Sequence, residues 1–160
     1  MKVNSSVFAV AALFVATFAA AQEQRGEAKT TLAGKAVSIE YGRPVLAGRD
    51  MLAQAKPNSP WRMGSGSPTS LKTDVDLTFG SVAVPKGSYI LEAVKDDKGT
   101  WTMLAKANGS DSPALRIPLA SATAKDSVEQ FTITLTAKDK AGEFAMVWGT
   151  AKMTAAFSTK

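Results

Sequence analysis

Residues 131–148 read FTITLTAKDKAGEFAMVW, and this stretch decides the fold. Phe131, Ile133 and Leu135 alternate with Thr132, Thr134 and Thr136. Successive side chains of a strand point to opposite faces, so the spacing predicts a strand with one buried and one solvated side. Lys138 to Gly142 is polar and reads as a hairpin loop, after which Phe144, Met146 and Trp148 resume the alternation. Gly149 punctuates the run before Met153, Ala155 and Phe157 close it.

The same period recurs towards the N-terminus. Val37, Ile39 and Tyr41 alternate with polar residues, as do Val75, Leu77 and Phe79, then Trp101, Met103 and Ala105, then Leu115, Ile117 and Leu119. Tyr89 to Val94 is apolar on both faces, as expected of a central strand. Turn signals separate the runs: Pro85-Lys86-Gly87, Asp96-Asp97-Lys98-Gly99 and Asn108-Gly109. Short strands with turns this frequent predict an all-β fold, a single antiparallel β-sandwich of about eight to ten strands. Asp50 to Ala55 is the best candidate for a short helix. Residues 22–34 read as a short leader or a first edge strand, with the sandwich domain running from 35 to 160.

The first 21 residues follow a different rule. Lys2 supplies a positive charge, Val7 to Ala16 is an unbroken apolar run, and Ala19-Ala20-Ala21 offers small residues where signal peptidase cuts. This predicts a secretory signal peptide over 1–21, hence a periplasmic or secreted protein. The run is shorter than the ~20 apolar residues of a membrane span, so no stable span is expected after cleavage.

Composition removes several chemistries. The 160-residue chain has no Cys and no His. Disulfides, thiolate and imidazole metal sites, Cys nucleophiles and Ser-His-Asp triads are therefore excluded. No Cys follows the cleavage point, so the usual lipoprotein anchor is excluded too. No cofactor, metal site or catalytic residue is predicted. The net charge is +5, but the basic residues are scattered, so nucleic acid is not an expected partner. Asp74-x-Asp76 places two carboxylates on one face of a strand and reads as its solvent side, since a Ca²⁺ site wants about six to eight oxygens.

One segment breaks the rhythm. Residues 42–68 hold four of the seven prolines and little strand pattern. Loops longer than about 12–15 residues in compact domains are often functional. This one contains Arg43, Arg49, Trp61 and Arg62, and Tyr41 stands at its mouth. A guanidinium fork matches carboxylate, phosphate and sulfate geometry, and an indole offers a face for a sugar ring. Tyr41, Arg43, Arg49, Trp61 and Arg62 are thus the candidate ligand-binding residues. The competing reading is that the arginines bond to loop carbonyls and nearby carboxylates while Trp61 pins the loop to the core.

The string Ile39-x-Tyr41-x-Arg43-Pro44-x-x-x-Gly48-Arg49 resembles the opening motif of the exported bacterial proteins of domain-of-unknown-function family 2911. Trp61-Arg62-x-Gly64 resembles its second motif and Pro85-x-Gly87-x-Tyr89 its third, with Trp101 and Trp148 where the family has later tryptophans. The resemblance spans about 35 to 158. It implies an exported β-rich domain and marks the Arg/Trp segment; it implies no substrate. Where the family continues with Ala-Asn and an acidic residue, this chain has Ser65, Gly66 and Ser67, which implies a changed ligand if those positions touch one.

Three functions follow as expectations. The first is a non-catalytic envelope protein binding an anionic or glycan ligand, or a protein partner, through the 42–68 loop. The second is a carboxylate-dependent hydrolase of envelope polysaccharide, with Glu40 and Asp50 as its acids. The third is a purely structural module.

Overall fold

The computed structural model describes residues 24–160. The signal peptide expected at 1–21 lies outside them. Ten strands follow in order: β1 (Arg25–Leu32), β2 (Lys35–Gly42), β3 (Thr69–Thr73), β4 (Leu77–Phe79), β5 (Val82–Val84), β6 (Gly87–Lys95), β7 (Trp101–Ala107), β8 (Leu115–Pro118), β9 (Ala120–Lys138) and β10 (Ala141–Ser158). They form two antiparallel sheets, ordered β1-β2-β3-β6-β7-β8 and β5-β4-β10-β9. The all-β sandwich is therefore the observed architecture, and no helix occurs among the described residues.

The core lies between the sheets. Ile39, Leu91, Met103 and Ile117 from the larger sheet meet Leu77, Phe131, Phe144 and Met146 from the smaller, all buried. Burying each such side chain contributes about 1.5–3 kcal/mol. Tyr89 to Val94 lies in β6, a central strand as its two-faced apolar pattern implies. Asp96 holds the β6–β7 hairpin, its Oδ1 accepting from the Lys98 and Thr100 amides at 2.9 and 2.8 Å.

Three local expectations are corrected, after one that the structure decides. Of the two readings of residues 22–34, the first edge strand is the one observed: residues 25–32 form β1, at the edge of the larger sheet and paired along its length with β2. Asp50 to Ala55 forms turns, not a helix. Gln54 N–H donates to the Asp50 carbonyl at 3.2 Å and Asp50 Oδ1 caps the Ala53 amide at 2.9 Å. Pro57 then stops propagation, because it lacks an N–H and disfavours helix before it. Asp74 and Asp76 flank the bend between β3 and β4 rather than sharing a strand face, and Asp76 Oδ1 accepts from the Lys86 amide at 2.8 Å.

The last correction concerns Gly149, which is a bulge inside one continuous strand rather than a break. While β10 advances from Val147 through Gly149 to Ala151, its partners in β9 move from Thr132 through Val128 to Thr123. The surplus β9 residues bow outwards and the ribbon bends, as bulges require. Gly149 takes φ 62°, a left-handed conformation open to glycine at little strain. The bend brings the C-terminal end of β10 back to its own hairpin tip, where Thr159 N–H donates to the Lys140 carbonyl at 2.9 Å.

Candidate functional site

The long loop leaves β2 at Gly42 and re-enters the larger sheet at β3. Strand alternation turns Tyr41 inward, and Arg43 follows it towards the second sheet. The Tyr41 hydroxyl donates to the Ile133 carbonyl at 3.2 Å, and its ring meets Phe131 edge-on at 5.7 Å and 89°. Arg43 Nε donates to the Phe131 carbonyl and Nη2 to Thr132 Oγ1, both at 3.4 Å. Both residues thus tie β2 to β9.

The loop then runs along the outer edge of β9. Phe131 N–H donates to the Pro44 carbonyl and Leu46 N–H to the Glu129 carbonyl, both at 2.9 Å. Proline suits its place because only its carbonyl is used. An unpaired strand edge is a template for association, and this short segment covers it.

Trp61 anchors the far end. It exchanges two backbone hydrogen bonds with Ala93, of 2.6 and 2.8 Å, along the edge of β6 that β3 does not reach. Its ring enters between the sheets, stacked on Trp148 at 6.1 Å and 13°, and set edge-on to Phe131 at 5.3 Å and Trp101 at 6.3 Å. Such aromatic contacts add about 0.5–1.5 kcal/mol each beyond area burial. Arg62 is exposed and its Nη2 donates to the Gly66 carbonyl, closing a small loop. That small loop lies against the end of β2: a Cβ on Gly64 would sit 2.6 Å from the Gly42 carbonyl oxygen, and one on Gly42 would collide with Ser65. Backbone meets backbone there, which explains Gly64 of the second motif and the Gly42 that stands between Tyr41 and Arg43.

Arg49 differs from the other two arginines. Its guanidinium has no hydrogen bond or ion pair among the described residues. It lines a cavity of about 490 Å³ between the loop and the bulged ribbon, with Asp50 beside it and Thr123, Ser127, Glu129 and Trp148 opposite. Glu129 Oε1 accepts from the Ala47 amide at 3.0 Å, and its backbone carbonyl accepts from Trp148 Nε1 at 3.2 Å. Of the five residues singled out by sequence, Tyr41, Arg43 and Trp61 join the two sheets, Arg62 ties the loop to itself, and Arg49 alone faces this cavity. Glu40 is exposed on β2 and does not line it, whereas Asp50 does.

Sequence reasoning missed Thr123, Ser127 and Glu129 as walls. The one available signal was the lapse of apolar alternation between Leu119 and Phe131, where β9 bows out. Among the described residues no group of three or more acidic side chains is placed to hold a metal ion, and no helix is long and apolar enough to cross a membrane.

The fold and the strapped loop define a two-sheet antiparallel β domain with an open cavity at the bend of its long ribbon. The chain belongs to the family described as protein of unknown function (DUF2911), whose model matches residues 23–157. No curated protein and no solved structure matches the chain.

Proposed function

We propose that this is an exported envelope protein, periplasmic or secreted, that binds an anionic or glycan ligand without catalysis, in the cavity between the 42–68 loop and the β9–β10 bend. The observation that carries the reading is the contrast among the loop arginines. Arg43 and Arg62 direct hydrogen bonds to protein acceptors, while the Arg49 guanidinium has no partner among the described residues and lines a cavity of about 490 Å³. An unpaired fork of donors beside hydroxyl-bearing walls suits a ligand carrying acidic groups and hydroxyls. The motif at 1–21 supports export, and a mature chain beginning at Gln22, read by mass spectrometry of the cell-envelope fraction, tests it.

For binding, the mature protein and its Arg49→Ala variant are titrated calorimetrically with fragments of envelope polysaccharides. Saturable binding that the substitution removes, with the melting temperature unchanged, is the expected result. Absence of binding to every fragment sinks the reading. A hydrolase would need two carboxylates roughly 5–10 Å apart in one cleft; the Glu40–Asp50 pair is not assembled, since Glu40 does not line this cavity, and the carboxylate that does stand there with Asp50, Glu129, engages its Oε1 with the Ala47 amide of the loop. The purely structural reading draws on Tyr41, Arg43 and Trp61, which tie sheets together. Self-association in sedimentation experiments, without ligand binding, would favour it.

A further inference from the structure

The described residues contain two asparagines, Asn58 and Asn108, and the fold holds them in opposite ways. Asn58 is tied down. Its Nδ2 donates to Asp97 Oδ2 at 3.1 Å and its backbone N–H to the Lys95 carbonyl at 2.7 Å. The amide that follows is held as well, Ser59 N–H donating to the Lys56 carbonyl at 3.3 Å. Asn108 stands in the turn after β7, where both it and Gly109 are exposed. Its backbone N–H donates to the Ser88 carbonyl at 2.9 Å, and Ser110 N–H to the Ala107 carbonyl at 3.2 Å. Between those two bonds, the Gly109 N–H and the Asn108 side-chain amide make no hydrogen bond among the described residues. The space around Gly109 is open too, with no atom within 4 Å of the place a Cβ would take.

We infer that Asn108 is a self-modification site, converted to aspartate and isoaspartate by the amide of Gly109 without an enzyme. The Gly109 nitrogen, its proton lost to hydroxide, attacks Asn108 Cγ. A C–N bond forms, the Cγ–Nδ2 bond breaks, and the departing amide takes a proton and leaves as ammonia. The product is a five-membered succinimide, which water then opens. Addition at Cγ gives aspartate; addition at the other carbonyl gives isoaspartate, with the backbone routed through the former side chain. Water and hydroxide are the only co-reactants, and a neutral amide becomes a carboxylate.

The difference between the two asparagines carries the inference. Nucleophile and electrophile are neighbours in both, so proximity alone does not separate them. At Asn58 the attacking amide and the side chain it attacks must each give up a hydrogen bond first, and Ser59 adds a side chain beside the nitrogen. At Asn108 neither group has a bond to break, and glycine leaves the backbone free to turn its nitrogen onto the side chain. The inference is independent of the cavity at Arg49.

The test is peptide mapping by mass spectrometry of the folded protein held in mildly alkaline buffer. The Asn108 peptide should gain the mass of amide-to-acid exchange at a rate within about threefold of the same segment as a free peptide, since the fold adds no barrier. Asn58 should convert at least about tenfold more slowly in the folded protein and catch up when urea unfolds it. Acidic forms should accumulate on anion exchange, and Asn108→Gln should not form them. Persistence of Asn108 in the folded protein, or conversion of Asn58 at the same rate, overturns the inference. Aspartate formed at 108 without isoaspartate overturns it as well, because direct hydrolysis would then bypass the Gly109 nitrogen.

Discussion

The indole rings of Trp61 and Trp148 have their centres 6.1 Å apart and their planes 13° from parallel, so a residue of the long loop is stacked on a residue of the bent ribbon. Trp61 also bonds through its backbone to Ala93 of β6. A loop side chain is thereby part of the contact between the sheets. Trp61→Ala should lower stability by about 3 kcal/mol, since a large side chain leaves a void that the two sheets cannot close. Urea unfolding followed by far-UV circular dichroism measures it; a loss under about 1 kcal/mol would mean that the ring merely rests on the surface.

The Gly42–Gly64 contact predicts a second effect. A methyl group on Gly42 would enter the Ser65 backbone, so Gly42→Ala should destabilise by about 2 kcal/mol or more through overpacking. Gly34 is the control, at φ 75° and with no atom within 4 Å of the place an alanine methyl would take. There the same substitution carries only the left-handed backbone penalty of roughly 1 kcal/mol. Equal losses at the two positions would argue against the close approach.

Two arginines of one loop should separate by experiment. Arg43→Ala removes bonds to the Phe131 carbonyl and to Thr132 Oγ1, and should lower stability by about 1–2 kcal/mol. Arg49→Ala removes no side-chain bond to the described residues and should stay within about 0.5 kcal/mol of the unmodified protein. Thermal melts of the two variants side by side decide whether the division of labour holds.

Tyr89 gives the folded state a pH dependence at the alkaline end. Burial, and secondarily the Asp76 carboxylate, raise its phenol above the ordinary value of 10.0. The folded chain then holds that proton more tightly than the unfolded chain does. Its contribution is complete below about pH 10 and is lost as pH rises through the raised pKa. Tyr89→Phe should lose about 1 kcal/mol at neutral pH, where the hydroxyl donates to the Pro85 carbonyl at 2.6 Å. The gap between variant and parent should narrow above about pH 10. Denaturant melts at several alkaline pH values check it, and a constant gap would contradict the linkage.

Strands with strict alternation were legible in the sequence: β2, β7 and the 131–148 hairpin buried the residues that the period selects. β3 was not, because two of its inward positions are Thr69 and Thr73. Their hydroxyls are buried and satisfied, donating to the Met63 carbonyl at 2.8 Å and the Val75 carbonyl at 2.6 Å. A polar residue with an internal acceptor counts as core, yet a hydropathy pattern scores it as surface. β1 and β5 were missed or left open for a related reason: β1 carries charged side chains and β5 is only three residues long.

Alternating apolar residues determined by themselves that this chain forms antiparallel β-sheets, because the two faces of a strand alternate whatever lies next to it. Missing His and Cys likewise determined which side-chain chemistries the chain lacks. Only the tertiary structure decided the order of the sheets, the bend at Gly149 and the use made of the loop. Arg43 and Arg49 are the same residue in the same segment. One reaches the backbone of β9 and becomes a brace; the other lines the space left where β9 bows away from β10 and bonds no side chain or backbone group of the described residues through its guanidinium. That difference lies in contacts with residues far along the chain, which no local pattern encodes.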